Sequence, residues 1–124
     1  MTEPQAPRAK FPKRMHLRSG RDFREIYALR TAVRSRELIL YWRHNDLGHA
    51  RLGLSVSRKH GNAPRRNRIK RVLREVFRLQ QHEIPAAIDI VAIPQRGGSC
   101  ADFSRCSRAF RRLLEKLEPK VNDQ

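Results

Sequence analysis

Residues 63 to 82, APRRNRIKRVLREVFRLQQH, restrict the possible folds of this chain more than any other segment. Ile69, Val72, Leu73, Val76 and Phe77 recur at helical spacing and form a single apolar stripe. Pro64 is compatible with a helix only in its first turn, so Asn62 or Ala63 is the expected cap. At about 100° per residue, the side opposite the stripe carries Asn67, Arg71, Arg74 and Arg78, with Arg68 and Lys70 on its flanks. One side of this helix has to be buried against another layer. The other side is almost purely cationic.

The flanking segments supply that layer. Residues 37–43, ELILYWR, and 50–57, ARLGLSVS, read as strands joined by the turn-like HNDLGH. In the second, Leu52, Leu54 and Val56 alternate with Arg51, Gly53, Ser55 and Ser57, which gives the sheet one packed face and one small, polar, open face. Residues 88–93, IDIVAI, are apolar enough for a strand covered on both faces. A first helix spans about 20–30, with Ser19 as cap, Asp22 three residues on, and Phe23, Ile26 and Tyr27 at helical spacing. A last helix over about 102–117 aligns Phe103, Cys106, Phe110, Leu113, Leu114 and Leu117, and Pro119 is expected to end it. The order helix, strand, strand, helix, strand, helix predicts an α+β domain with a small mixed β-sheet and three helices. Residues 1–15 carry Pro4, Pro7 and Pro12 without apolar periodicity and read as a basic, flexible arm. The folded domain then covers 16–118, and 119–124 form a frayed tail.

Charge narrows the function. Between Arg58 and Arg78 nine cations oppose a single acid, Glu75, so a sixth of the 124-residue chain holds half of its formal +16. Crowding like charge onto one helical face is destabilising, and a merely solvated helix avoids it by interleaving glutamate. The surplus therefore points to a polyanion. Arginine predominates, and its planar fork pairs with phosphate and stacks on bases, which favours nucleic acid. An arginine-rich helix beside an open sheet face suits a flexible single strand of RNA, with Phe23, Tyr27, Tyr41 and Trp42 as possible stacking platforms. Strand alternation puts Tyr41 and Trp42 on opposite faces.

Other classes find little support. Asp22, Glu25, Glu37, Asp46, Glu75, Asp89 and Asp102 are dispersed and form no two-metal cluster, no nucleophile motif is present, and no catalytic residue is assigned. Cys100 and Cys106 lack zinc-site spacing and read as reduced thiols, and no metal ligands are assigned among the five scattered histidines. The apolar runs fall well short of the ~18–20 residues of a membrane span, and the N-terminus lacks the apolar stretch of a secretory signal, so a cytosolic, cytoplasmic location without membrane contact is expected. A ribosomal-type RNA-binding protein and a peripheral membrane module are the competing readings.

The stretch LGLSVSRKHGNAPRRNRIKRVLREVFR, residues 52–78, resembles the family of bacterial ribonuclease P protein components through Arg66-Asn67-Arg68, Lys70-Arg71 and Arg74-Glu75. The resemblance extends to LRSGRDFREIYALR, RELILY and DIVAIP, over roughly residues 17–117. It implies a ribosomal S5 domain 2-like fold with a left-handed βαβ crossover, although about 98% of parallel crossovers are right-handed. It also implies an endoribonuclease holoenzyme that removes the 5′ leader of precursor tRNA. The catalytic ribonuclease P RNA would hold the Mg2+ ions, and the protein alone would bind none. By the same resemblance, Arg65, Arg66, Asn67, Arg68, Lys70, Arg71, Arg74 and Arg78 meet the RNA subunit, while Phe23, Tyr27, Tyr41, Ser55, Arg58 and Lys59 grip the leader. Tyr27 replaces a common phenylalanine and Arg58 a frequent lysine, which keeps the ring and the charge. The protein is expected to be monomeric within a 1:1 ribonucleoprotein.

Overall fold

The computed structural model describes residues 10–85, 87–97 and 100–122. The chain runs α1 (Gly20–Leu29), β1 (Ala32–Arg34), β2 (Leu38–His44), β3 (Arg51–Leu54), α2 (Ala63–Gln80), β4 (Ile88–Pro94) and α3 (Phe103–Asn122). The strands form one mixed sheet in the order β1-β2-β4-β3. β1–β2 and β2–β4 are antiparallel, whereas β3 and β4 are parallel neighbours connected through α2.

Register decides what each sheet face carries. One rung aligns Trp42, Ile90 and Leu52, and the next aligns Tyr41, Val91 and Gly53. The first set belongs to the main core, where α2 contributes Ile69, Leu73, Val76 and Phe77 and α3 contributes Cys106, Phe110, Leu113, Leu114 and Leu117. On the opposite face, α1 lays Ile26 over Val91 beside Leu17, and Phe23, Tyr27, Tyr41 and Ile93 border that smaller cluster. Trp42 is buried and Tyr41 is half-buried, as alternation requires.

Local signals explain the helix ends. The Ser19 hydroxyl accepts the Asp22 N–H at 3.3 Å to start α1, and Arg30 ends it in the left-handed region at φ 58°. At α2, the Asn62 side chain accepts the Arg65 N–H at 3.0 Å, and Pro64 sits in the first turn, where its missing N–H costs nothing.

The elements differ from expectation at four places. β1 was not anticipated: with three residues and Val33 as its only buried side chain, it is too short to show a period. The strand expected over 50–57 ends at Leu54. The Ser55 N–H still reaches the Ala92 carbonyl at 3.0 Å before the chain turns into a one-turn 3-10 helix, Arg58–His60. The last helix does not stop at Pro119, since α3 continues to Asn122, and residues 123–124 of the expected tail lie outside the described residues. Pro119 lies exposed and removes one intrahelical hydrogen bond, a loss offset by burying Val121 on the stripe of Leu114 and Leu117. Finally, the ordered chain begins before residue 16. Phe11 stacks on His16 with ring centroids 3.9 Å apart and lies 5.0 Å from Phe77, while Met15 is buried in the core. Residues 1–9 of the expected arm lie outside the described residues.

One buried charge ties α1 to the sheet. Asp89 on β4 is fully buried and accepts hydrogen bonds from Arg43 at 2.9 Å, from Arg51 at 2.8 Å and from Asn45 at 2.8 Å. Arg43 also donates to Asp22 at 3.0 Å and Glu25 at 2.9 Å on α1. Burial alone would raise the Asp89 carboxyl, but the donors Arg51, Asn45 and Arg43 outweigh it and hold the group below its ordinary range. Cys100 and Cys106 are free, buried thiols, and the Cys100 contact together with burial pushes Cys106 far up, so it stays protonated.

Candidate nucleic-acid interface

The α2 face turned away from the core presents Arg65, Asn67, Arg68, Arg71 and Arg74 to solvent, with Arg66, Lys70 and Arg78 half-buried at its margins. Asn67, Lys70, Arg71 and Arg74 surround a shallow concavity of about 630 Å³ along the helix. Two of the predicted cations have partners within the chain. The Arg68 Nε donates to the Ala101 carbonyl at 2.9 Å, which fixes the side chain while leaving its charge exposed. Arg78 is paired with Glu75, one turn away, and its hydrogen bonds hold the Glu75 carboxyl below its ordinary value. Arg78 therefore contributes less free positive potential than Arg71 or Arg74, for which no ion pair is formed among the described residues.

The aromatic residues gather on the other sheet face. Phe23 and Tyr27 lie one turn apart on α1, with ring centroids separated by 6.3 Å, and Tyr27 meets Tyr41 of β2 edge-on at 5.0 Å. The Phe23 ring lies directly over Gly53, so close that a β-carbon built there would come within 2.6 Å of its Cζ. Glycine is thus required for the ring to come this close to the strand. Beside this row, a groove of about 490 Å³ runs between the N-terminal segment, β3 and α2, lined by Phe11, His16, Arg18, Phe23, Lys70 and Arg74 among others. Lys70 and Arg74 consequently face both the α2 concavity and the groove that holds Phe23.

Of the six predicted leader residues only Phe23 lines this groove, and Tyr27 and Tyr41 continue the aromatic row beyond it. Ser55 is half-buried where β3 ends, and Arg58 and Lys59 are exposed on the following 3-10 turn, which is braced by the Ser57–His60 capping pair. Lys59 lines a separate cavity of about 220 Å³ with Arg65 and Arg96 at the start of α2. Phe11, His16, Arg18 and Gly53 were not anticipated. The alternation in LGLS did place Gly53 on the open face, whereas Phe11 and His16 have no periodic context.

Among the described residues no three His, Cys, Asp or Glu side chains come together as metal ligands. Asp22, Glu25 and Asp89 are each held by arginine, so these carboxylates do not fit a magnesium ion. Also among the described residues, no helix is long and apolar enough to cross a membrane.

Known proteins share this architecture. The family model for Ribonuclease P matches residues 11–118, which starts at Phe11, earlier than the sequence motifs indicate. The ribonuclease P protein component of Thermotoga maritima is 37% identical over 112 residues, covering 87% of this chain and 96% of the relative. That of Serratia proteamaculans is 40% identical over 108 residues, covering 86% and 87%. Among solved structures, Staphylococcus aureus RNase P protein superimposes with a TM-score of 0.76 at 31% identity, covering 84% of this chain and 95% of that one. The Thermotoga maritima RNase P protein gives 0.74 at 34% identity, covering 82% and 96%. With its family model, relatives and fold in agreement, the chain belongs to the ribonuclease P protein family.

Proposed function

We propose that this chain is the RNA-binding subunit of a ribonuclease P holoenzyme, in which α2 docks on the catalytic RNA while the aromatic groove holds the 5′ leader of precursor tRNA. The observation that carries the reading is the shared wall between the two surfaces. Lys70 and Arg74 belong to the cationic face and to the groove containing Phe23, so a strand entering the groove runs alongside whatever α2 is bound to. Phosphates lie along Lys70 and Arg74, and unpaired bases stack on Phe23, Tyr27 or Tyr41.

Cleavage belongs to the RNA subunit and the Mg2+ ions it holds. Asp22, Glu25, Glu75, Glu83 and Asp89 are committed to arginine, so these carboxylates brace the fold rather than activate water. The protein acts in the cytoplasm as one copy per RNA. The test is the salt dependence of binding to ribonuclease P RNA by the wild type and by Arg71→Ala. Loss of one phosphate contact lowers the log–log slope by roughly 0.7–0.9. An unchanged slope removes Arg71 from the interface, and an unchanged slope across every exposed α2 arginine refutes docking through this face.

A further inference from the structure

A second cationic groove lies between α3 and the turn joining β1 to β2, and neither the α2 face nor the aromatic cleft accounts for it. Arg105, Arg108 and Arg112 recur at i, i+3 and i+7 on α3, so they form one strip about 10 Å long. Arg36, from the turn between β1 and β2, faces them across a groove of about 480 Å³ whose lining otherwise includes Glu37, Gly97 and Ala109. All four arginines are exposed, and Arg36, Arg108 and Arg112 form no ion pair among the described residues. Glu37 is the one acid in the lining, against four arginines, and five other acids are paired with arginines outside the groove. Asp22, Glu25 and Asp89 hold Arg43 and Arg51, Glu75 holds Arg78, and Glu83 holds Arg111, the next residue before Arg112 on the same helix.

Arg108 and Arg112 are one turn apart on α3 with Arg36 opposite them, an unfavourable gathering of like charge that the single Glu37 does not balance. The lining contains no aromatic ring, so it offers phosphate contacts and no platform for a base. This distinguishes it from the Phe23 groove. Gly97 borders both this groove and the cavity containing Lys59, Arg65 and Arg96, so the two basic cavities adjoin.

We infer that the groove formed by Arg36, Arg105, Arg108 and Arg112 binds the phosphate backbone of a base-paired RNA segment. It extends the α2 interface around the molecule, and the inference rests on the reading of the chain as an RNA-binding subunit. Base-paired RNA hides its bases and exposes its phosphates, which matches a groove with arginine forks and nothing to stack on.

The test compares the wild type, the double variant Arg108→Gln/Arg112→Gln, and a charge-matched control, Arg30→Gln/Lys120→Gln, whose side chains are exposed outside the groove. Binding is measured against salt for three probes: ribonuclease P RNA, an RNA hairpin and an unpaired RNA of equal length. The groove variant should lower the slope by about 1.4–1.8 on both structured RNAs, a loss of about 10–30-fold near 0.15 M salt at roughly 0.7–0.9 per contact. The control should lose less than half of that. Equal losses in the two double variants would reduce the effect to net charge and overturn the inference, as would a loss confined to the unpaired RNA. A wild type that binds ribonuclease P RNA no better than the hairpin counts against the proposed function, whereas the hairpin comparison still decides the groove.

Discussion

Gly53→Ala isolates the Phe23 platform from the rest of the fold. Gly53 has no positive φ, so its strand conformation suits alanine, and loss of unfolded-state freedom favours the variant by about 0.4–1 kcal/mol. Space is the obstacle. The new methyl carbon would sit 2.6 Å from Phe23 Cζ, 2.8 Å from Cε1 and 3.2 Å from Leu17 Cβ, where relaxed carbons stand about 3.5–4 Å apart. Leu17 Cβ is held by its backbone, whose N–H bonds the Leu52 carbonyl at 2.8 Å, so the half-buried Phe23 ring has to recede by about 1 Å. Overpacking of this kind costs about 1–3 kcal/mol, and the net destabilisation should be modest, about 0–2.5 kcal/mol. The functional effect should be larger in relative terms. One stacked base is worth about 1–3 kcal/mol, so the preference for precursor over mature tRNA should fall roughly 5- to 150-fold. The assay is equilibrium binding of both tRNAs to the holoenzyme, made with wild type, Gly53→Ala, Phe23→Ala and the double variant. If the glycine acts through the ring, Gly53→Ala adds nothing once Phe23 is alanine. Full selectivity in folded Gly53→Ala protein would refute the argument, and so would equal losses on both tRNAs.

Other perturbations probe the supporting structure. Asp89→Asn leaves two guanidinium groups short of their shared anion. Breaking a buried pair costs about 3–5 kcal/mol, which we discount to about 2–4 because the Arg43 and Arg51 side chains are 18% and 21% exposed, and urea unfolding should show it. The folded-state pKa values of Asp89, Glu25 and Glu75 are lowered. The stabilisation they supply is therefore complete above the unfolded-state values of about 4 and is lost as pH falls through the lower folded values. Wild-type melting should hold steady down to about pH 5 and drop below pH 4, whereas Asp89→Asn should show a smaller acid-induced drop. Val121→Ala should cost about 1–2 kcal/mol because α3 continues past Pro119, and a cost near zero would mean the last turn contributes nothing.

Long amphipathic elements were readable from the sequence because burial imposes a period on them. The α2 stripe, the opposite faces of Tyr41 and Trp42, and the start of α1 at Ser19 all follow from spacing and capping. Short or exceptional pieces were not. β1 has one buried residue, Phe11 packs through a single ring, and Pro119 interrupts a helix whose continuation depends on Val121 reaching the core. Asp89 appears in the sequence as a break in an apolar run, and only the neighbouring strands reveal Arg43 and Arg51 as its partners. The site was legible as two separate sets, a cationic helix and a group of aromatics. Their junction at Lys70 and Arg74 was not, because it depends on where the N-terminal segment crosses the edge of the sheet.

The most direct test of the central claim is cleavage of precursor tRNA by a bacterial ribonuclease P RNA at low magnesium, with and without this protein. A subunit that neutralises phosphates through α2 and holds the leader should restore cleavage at the mature 5′ end, and the stimulation should shrink as the leader is shortened. No stimulation by folded protein bound to a compatible RNA would contradict the account.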